Sequence, residues 1–514
     1  MMSSISRSKL ASLLRQEESL FHKTHPKSYE LYQRARKSLH GGVPMLWMVR
    51  WAGSFPVFVK SAKGARFTDV DGNEYIDFCL GDTGAMTGHS PDATVNAVNE
   101  QMQNGITLML PYEDAIWVGE ELQRRFKLPY WQFTLTATDA NRFALRMARL
   151  ITDRPKILVF NYCYHGSVDE TFITLDEEGT PISRPNNMGP QVDPRETTKV
   201  IEFNDIAALE TALSARDVAA VLAEPVMTNI GIIHPDAGYH DALREITRKY
   251  GTYLIIDETH TICAGPGGYT ASFALQPDFL TLGKPLAGGV PAAVYGFTEE
   301  VSQQFAARLN LNDADVGGIG GTLAGNALSI AAMKATLQHI LTDEFYAKAI
   351  ALQEKFTAGV ESVIAEFELP WIVKRLGNRS EYWFRPKPPR NGGEAHAAVD
   401  PELDRYMHLF ALTRGILMTP FHNMALISPD ITQEDVDYHE GISRGSAKPV
   451  CVMYNVMYNH RSIHETDGSQ ANLYPKESGR TAQCHLQRQE VSAKRRSSAA
   501  RWTMVETRWL SFSV

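Results

Sequence analysis

A chain of 514 residues exceeds the size at which a single hydrophobic core keeps growing, so more than one structural unit is expected. Its hydrophobic fraction of 44% and charged fraction of 21% are those of an ordinary globular protein. Its 51 basic and 59 acidic residues, net −8, leave no polybasic footprint for nucleic acid. No apolar run is long enough to span a bilayer, and the opening MMSSISRSKLASLLRQEESLF lacks the apolar stretch of a secretory signal. A cytoplasmic protein without a membrane partner is expected.

The same opening is rich in Ser, Arg, Lys and Leu with no acid before Glu17, so organelle targeting stays open as an alternative. The five cysteines (Cys79, Cys163, Cys263, Cys451 and Cys484) show no CxxC spacing, which argues against a zinc site or a disulfide framework; no metal is expected.

In chain order, residues 1–26 read as an N-terminal extension and 27–110 as the first segment of a smaller α+β unit. Within that segment, 58–78 is hairpin material around the turn signal Asp71-Gly72-Asn73. From 112 to 284 short β-branched runs alternate with helical periodicity. The runs are KILVF (156–160), VAAVLAEP (218–225), TYLIIDE (252–258) and DFLTLGK (278–284), with helix-like text such as DAGYHDALREITRKYG between them. This is the pattern of an α/β fold with a mostly parallel central sheet, and it places the large unit at 111–335.

A long helical stretch at 326–367 leads into mixed text, and 336–445 is expected to complete the smaller unit. Residues 446–514 carry ten Lys/Arg against five Asp/Glu with no sustained apolar period. They are expected to form a disordered tail that packs on nothing. A nucleic-acid or localisation signal there would rest on Lys494, Arg495 and Arg496 alone, and a solvated extension is the preferred reading.

Polar residues gather at the C-terminal ends of the expected strands, where open α/β sheets place their ligands. Lys284 stands in Leu-Gly-Lys-Pro just before Gly288-Gly289, and Asp257 closes the apolar run 254–256. Tyr164-His165-Gly166 follows the strand at 156–160, and Thr136-Ala137-Thr138-Asp139 opens an amphipathic helix whose first N–H groups can cradle an anion. A second glycine-rich approach to a helix ends at Thr322.

Each residue alone also fits a commonplace role: a surface lysine, a helix cap, a core aromatic, a flexible loop. Together they supply the parts of a pyridoxal 5′-phosphate site: a lysine for the aldehyde, an acid for the ring nitrogen, a platform for the ring and donors for the phosphate.

Taken in order, AEPVMTNIGIIHPDAGYHDALREITRKYGTYLIIDE, QPDFLTLGKPLAGGVPAAVYG with its lysine 27 positions after the aspartate, GARFTDVDGNEYIDF, GHSP and GGTLAGNALSIAA resemble one family. It is the class III aminotransferases of PLP fold type I, in their glutamate-1-semialdehyde aminomutase-like branch, and the likeness extends over about 27–445. The resemblance implies that Lys284 forms the Schiff base and shuttles protons and that Asp257 pairs with the pyridine nitrogen. Tyr164 would stack on the ring, and Ala137 and Thr138 would bind the phosphate. His165, Glu224 and Thr259 would line the cofactor's surroundings, and Thr322 would reach the phosphate of the neighbouring subunit of a homodimer.

It further implies an amino group moved from an amine or amino acid to a keto acid or aldehyde. The alternatives are an intramolecular aminomutase or an epimerase on the same residues, and, more remotely, a scaffold without catalysis. Trp47, Arg50 and His422 are the substrate-side candidates; His422 lies in Thr-Pro-Phe-His-Asn-Met, where aminomutase-like members usually carry an acid. The chain departs from the family's Ser-Gly-Thr-Glu-Ala with Thr136-Ala137-Thr138-Asp139-Ala140. After Asp257-Glu258 it adds Thr259 and His260, and for His260 a structural hydrogen bond is preferred to catalysis.

Overall fold

The computed structural model describes residues 5–186, 188–189, 191–309, 316–420 and 422–458. Its centre is a seven-stranded sheet, in spatial order Tyr130–Thr134, Ala293–Phe297, Phe279–Leu282, Tyr253–Asp257, Val218–Ala223, Lys156–Phe160 and Thr198–Ile201. Only Ala293–Phe297 runs against the others. The expected strands fall at the four apolar runs because each is buried on both faces; every residue of Val218–Ala223 is inaccessible, as a parallel strand between helices requires.

Alternation along these strands sends side chains to two cores. Ile157, Val159, Ala220, Leu222 and Ile255 pack under the helix Ala137–Thr152 through Ala140, Ala144, Met147 and Ala148. Leu158, Val221, Leu254 and Ile256 pack on the other face against Tyr239, Leu243 and Ile246 of the helix Tyr239–Tyr250. With both faces covered, the sheet's polar residues are left at the strand ends, and that leads directly to the site.

The text at 58–78 forms three antiparallel strands, Val59–Lys63, Arg66–Asp69 and Glu74–Asp77, turning at Gly72 with φ +94°. A fourth strand, Ile416–Leu417, joins them in parallel from the far end of the chain. A further small sheet holds Ile372–Leu376, Arg379–Trp383 and Met424–Leu426.

The single helical stretch expected at 326–367 is two helices, Ala327–His339 and Asp343–Glu366. The break is set at Thr342, whose side chain accepts from Phe345 N, with Asp343 and Glu344 in the first turn where the helix dipole favours acids.

The C-terminal boundary departs from expectation. The last described helix, Gln433–Tyr458, runs through the expected boundary at 446. Ala447, Val450, Met453 and Tyr454 are buried with Leu10 and Leu14 of the N-terminal helix Arg7–Thr24, and Trp371 Nε1 donates to Tyr454 Oη at 3.2 Å. Pro449 inside the helix removes an N–H donor and interrupts the apolar period, which hid this face in the sequence. The basic run at 494–496 lies outside the described residues. Among the described residues no helix is long and apolar enough to cross a membrane.

Candidate active site

Five strand ends and the loops behind them surround a cavity of about 480 Å³ whose wall includes Thr138, Tyr164, Glu224, Asp257, Thr259 and Lys284. Ala137, Thr136 and His260 also line it, together with backbone-rich segments near 81–85 and 289–292. Clefts of about 480 Å³ around Arg142, Arg146 and Arg149, and of about 720 Å³ around Arg244 and Asp278, hold no residue of this set. Ligand chemistry therefore points to the strand-end cavity rather than to cleft size.

Asp257 is buried at the end of its strand. Its Oδ2 accepts from Asn141 Nδ2 at 2.8 Å and pairs with His165 Nδ1 at 2.9 Å, and its Oδ1 accepts from Thr259 N at 3.0 Å. Burial alone would raise this carboxyl, but His165, Thr259 and Asn141 outweigh it and hold it below the usual range. Burial likewise opposes the charged form of His165, while Cys163 and Asp257 beside it push it up. Both shifts favour an ionised pair. His165, expected at the cofactor, thus stands behind Asp257 and outside the cavity wall.

Asn141, which sequence reasoning missed, locks the pair from one helical turn beyond Ala137: its Oδ1 accepts from Thr281 Oγ1 at 2.7 Å.

Thr136 caps the helix Ala137–Thr152 through Asp139 N, and the N–H groups of Ala137 and Thr138 in its first turn have no acceptor within the helix. Ser167 N donates to Thr138 Oγ1 at 3.0 Å, and a Cβ on Gly166 (φ +76°) would stand 2.1 Å from that oxygen, so only glycine closes this cradle. Opposite, Lys284 adopts a left-handed φ of +49°. Its Nζ lies 3.1 Å from Asp82 Oδ2 and 2.5 Å from His260 Nε2. Backbone held in that region at a site is strain the surrounding packing must maintain.

Glu224 Oε2 accepts from Thr228 N at 3.0 Å and from the Thr228 hydroxyl, while its Oε1 is buried without a protein partner. Burial pushes Glu224 up to about 7. Thr259 Oγ1 is also buried and unpartnered, and both side chains face the cavity. An anion cradle, an acid held ionised, a lysine and two orphaned polar atoms form a donor and acceptor set that fits a flat polar cofactor with a phosphate tail.

The substrate-side candidates separate. Trp47 packs on Tyr164 with ring centroids 5.3 Å apart. His422 bonds Glu381 through Nδ1 and brings Nε2 to 4.0 Å from Asp82 Oδ1. Arg50 is exposed and outside the cavity wall, and Thr322 is exposed and does not line its own chain's cavity.

The model of the class-III aminotransferases matches residues 47–444. This chain belongs to that family. Among curated proteins, glutamate-1-semialdehyde 2,1-aminomutases are similar to this class-III aminotransferase. The one from Methanosphaera stadtmanae is 32% identical over 416 residues, covering 80% of this chain and 96% of that protein.

Among solved structures, a glutamate-1-semialdehyde aminomutase from Pseudomonas aeruginosa PAO1 in complex with PMP is 46% identical with a TM-score of 0.85, covering 87% of this chain and 99% of that one. An omega-transaminase from Sphaerobacter thermophilus is 27% identical with a TM-score of 0.75, over 82% and 97%. These likenesses support the aminomutase-like branch and pyridoxal 5′-phosphate as the cofactor of this α/β enzyme.

Proposed function

We propose that this class-III aminotransferase works as an aminomutase, exchanging an amino group and a carbonyl between neighbouring carbons of one small substrate of the glutamate-1-semialdehyde kind. The observation that carries this is the 46% identity to the Pseudomonas aeruginosa aminomutase over nearly all of that chain. Amino transfer between two substrates, from an amine or amino acid to a keto acid or aldehyde, is the second reading. It is favoured by the likeness to an omega-transaminase and by His422 at a position where an acid is usual in the aminomutase branch.

The bound cofactor supplies an aldehyde that exchanges amines and a ring that accepts an electron pair. In the proposed assignment, the chain's own residues do the rest. Lys284 holds the aldehyde and then carries a proton at Nζ between carbons. Asp257, kept ionised by His165 and Asn141, keeps the ring nitrogen protonated. Ala137 and Thr138 bind the phosphate at the helix start, Tyr164 supplies a face for the ring, and Trp47 packs over Tyr164 to exclude water. Glu224 and Thr259 take the remaining polar edge of the cofactor.

Incubation of the holoenzyme with glutamate-1-semialdehyde, without any added carbonyl acceptor, should give the isomerised amino acid at full yield over many turnovers. Turnover that stops after one equivalent and resumes on adding a keto acid would overturn the aminomutase reading and establish transfer between two substrates.

The working unit in this reading is a cytoplasmic homodimer in which Thr322 reaches the cofactor phosphate of the other subunit. The exposed Thr322 and Leu323, and the exposed Leu108, Met109 and Leu110, support it, since large apolar side chains left at the surface are the kind that a partner covers. Mixing inactive Lys284→Ala chains with weakened Thr322→Ala chains should restore activity, because one site of each mixed dimer has both residues. Additive activities with no recovery would remove Thr322 from the neighbour's site.

A further inference from the structure

Lys284 belongs to a polar chain that the cofactor does not explain. His260 Nε2 faces Lys284 Nζ at 2.5 Å, while His260 Nδ1 faces Arg379 NH1 at 3.1 Å and Thr83 Oγ1 at 3.0 Å. Arg379 is wholly buried, and its NH2 donates to Thr228 O and to Glu381 Oε1, each at 3.0 Å. Glu381 bonds His422, which approaches Asp82, and Asp82 closes the circuit at Lys284 Nζ with 3.1 Å.

The bonding pattern fixes where the imidazole hydrogen sits. A guanidinium has donors only, so His260 Nδ1 accepts from Arg379, and the Thr83 hydroxyl can turn to suit. Burial is the largest influence on His260 and by itself exceeds the opposing pull of Asp82, with the Arg379 guanidinium adding to it, so His260 is held well below its ordinary range and is neutral. A neutral imidazole has one N–H, and with Nδ1 accepting, that hydrogen is on Nε2 and directed at Nζ. An uncharged Nζ satisfies both neighbours, accepting from His260 and donating to Asp82. An ammonium there would set donor against donor.

We infer that His260, held in its Nε2–H form by Arg379, is a positioning residue that fixes the lone pair of the free Lys284 amine and pushes Nζ off His260 once the amine has taken a proton. The proton moves from a substrate carbon to Nζ and on to a second carbon, with no change of oxidation state in the chain. The inference rests on Lys284 being the proton carrier of the proposed reaction.

The test uses apoprotein labelled with ¹⁵N-histidine, together with His260→Leu and His260→Gln holoenzymes and substrate deuterated at the reacting carbon. The His260 signal, assigned by its loss in His260→Gln, should show the hydrogen on Nε2. His260→Leu should lose roughly ten- to a hundredfold in kcat at nearly unchanged KM, the scale expected when a reacting group is displaced by about an ångström, with a larger deuterium isotope effect. His260→Gln, which can still donate to Nζ, should recover most of the rate. Both variants should keep the cofactor trapped on Lys284 by borohydride; loss of trapping in wild type would instead defeat the underlying assignment of Lys284. A hydrogen on Nδ1, or a leucine variant with unchanged kcat and isotope effect, would overturn the inference.

Discussion

Lys284→Ala should abolish borohydride trapping of the cofactor on the chain and slow the first amine exchange by at least about 10²–10⁴-fold, the usual contribution of a positioned acid–base group. The expectation follows from placement. Lys284 is the lysine that lines the cavity, it is held in a left-handed conformation, and its nitrogen is aimed by Asp82 and His260. An alanine there removes both the covalent anchor and the proton carrier while leaving the phosphate cradle at Thr138 intact. The variant should therefore still bind pyridoxal 5′-phosphate reversibly, and equilibrium dialysis would show this. Peptide mapping after reduction checks the first point, since wild type should carry the cofactor at 284 and the variant nowhere.

The second large effect is on stability. Arg379→Met should cost about 3–5 kcal/mol, because it breaks a buried pair and leaves Glu381 with one cationic neighbour fewer. The guanidinium makes bonds to Glu381, Thr228 O and His260, and methionine fills comparable volume without replacing any of them. Burial opposes the charged form of Glu381, while His422 and Arg379 draw it below its ordinary range. Losing Arg379 removes part of that compensation. A urea titration of the apoprotein reads the loss as a lower midpoint. The double variant Arg379→Met/Glu381→Leu should recover part of it, since removing both charges avoids the stranded carboxylate. An unchanged midpoint in the single variant would mean that the pair adds nothing to the fold.

How far the site was legible depends on where its parts lie in sequence. Lys284 and Asp257 could be read because Asp257 closes one mostly apolar strand and Lys284 follows another by two residues, and a parallel sheet covered on both faces has its polar residues at the strand ends. Thr138 could be read because a capped helix start follows a strand. The circuit around Lys284 could not: Asp82, His260, Arg379 and His422 come from segments far apart in the chain, and although His260 and His422 stand out singly, nothing in their local text makes the four neighbours.

Asp82 lies in a loop where Leu80, Asp82 and Thr83 all take positive φ, a conformation no residue pattern announced. His165 reads from sequence as a residue of the cofactor's surroundings, and the structure sets it against Asp257 instead, a pairing between segments 92 residues apart that no local pattern announces. At the C-terminal end, Pro449 disguised a helix whose Val450 and Tyr454 are core.

The most direct test of the account is the visible absorption spectrum of purified protein with pyridoxal 5′-phosphate, before and after amine or amino-acid donors are added. The account predicts a yellow wild type whose band is bleached by a donor and returns with a carbonyl compound, and a Lys284→Ala protein without that band. A wild type whose spectrum is indistinguishable from that of Lys284→Ala, and does not change when donors are added, would contradict it.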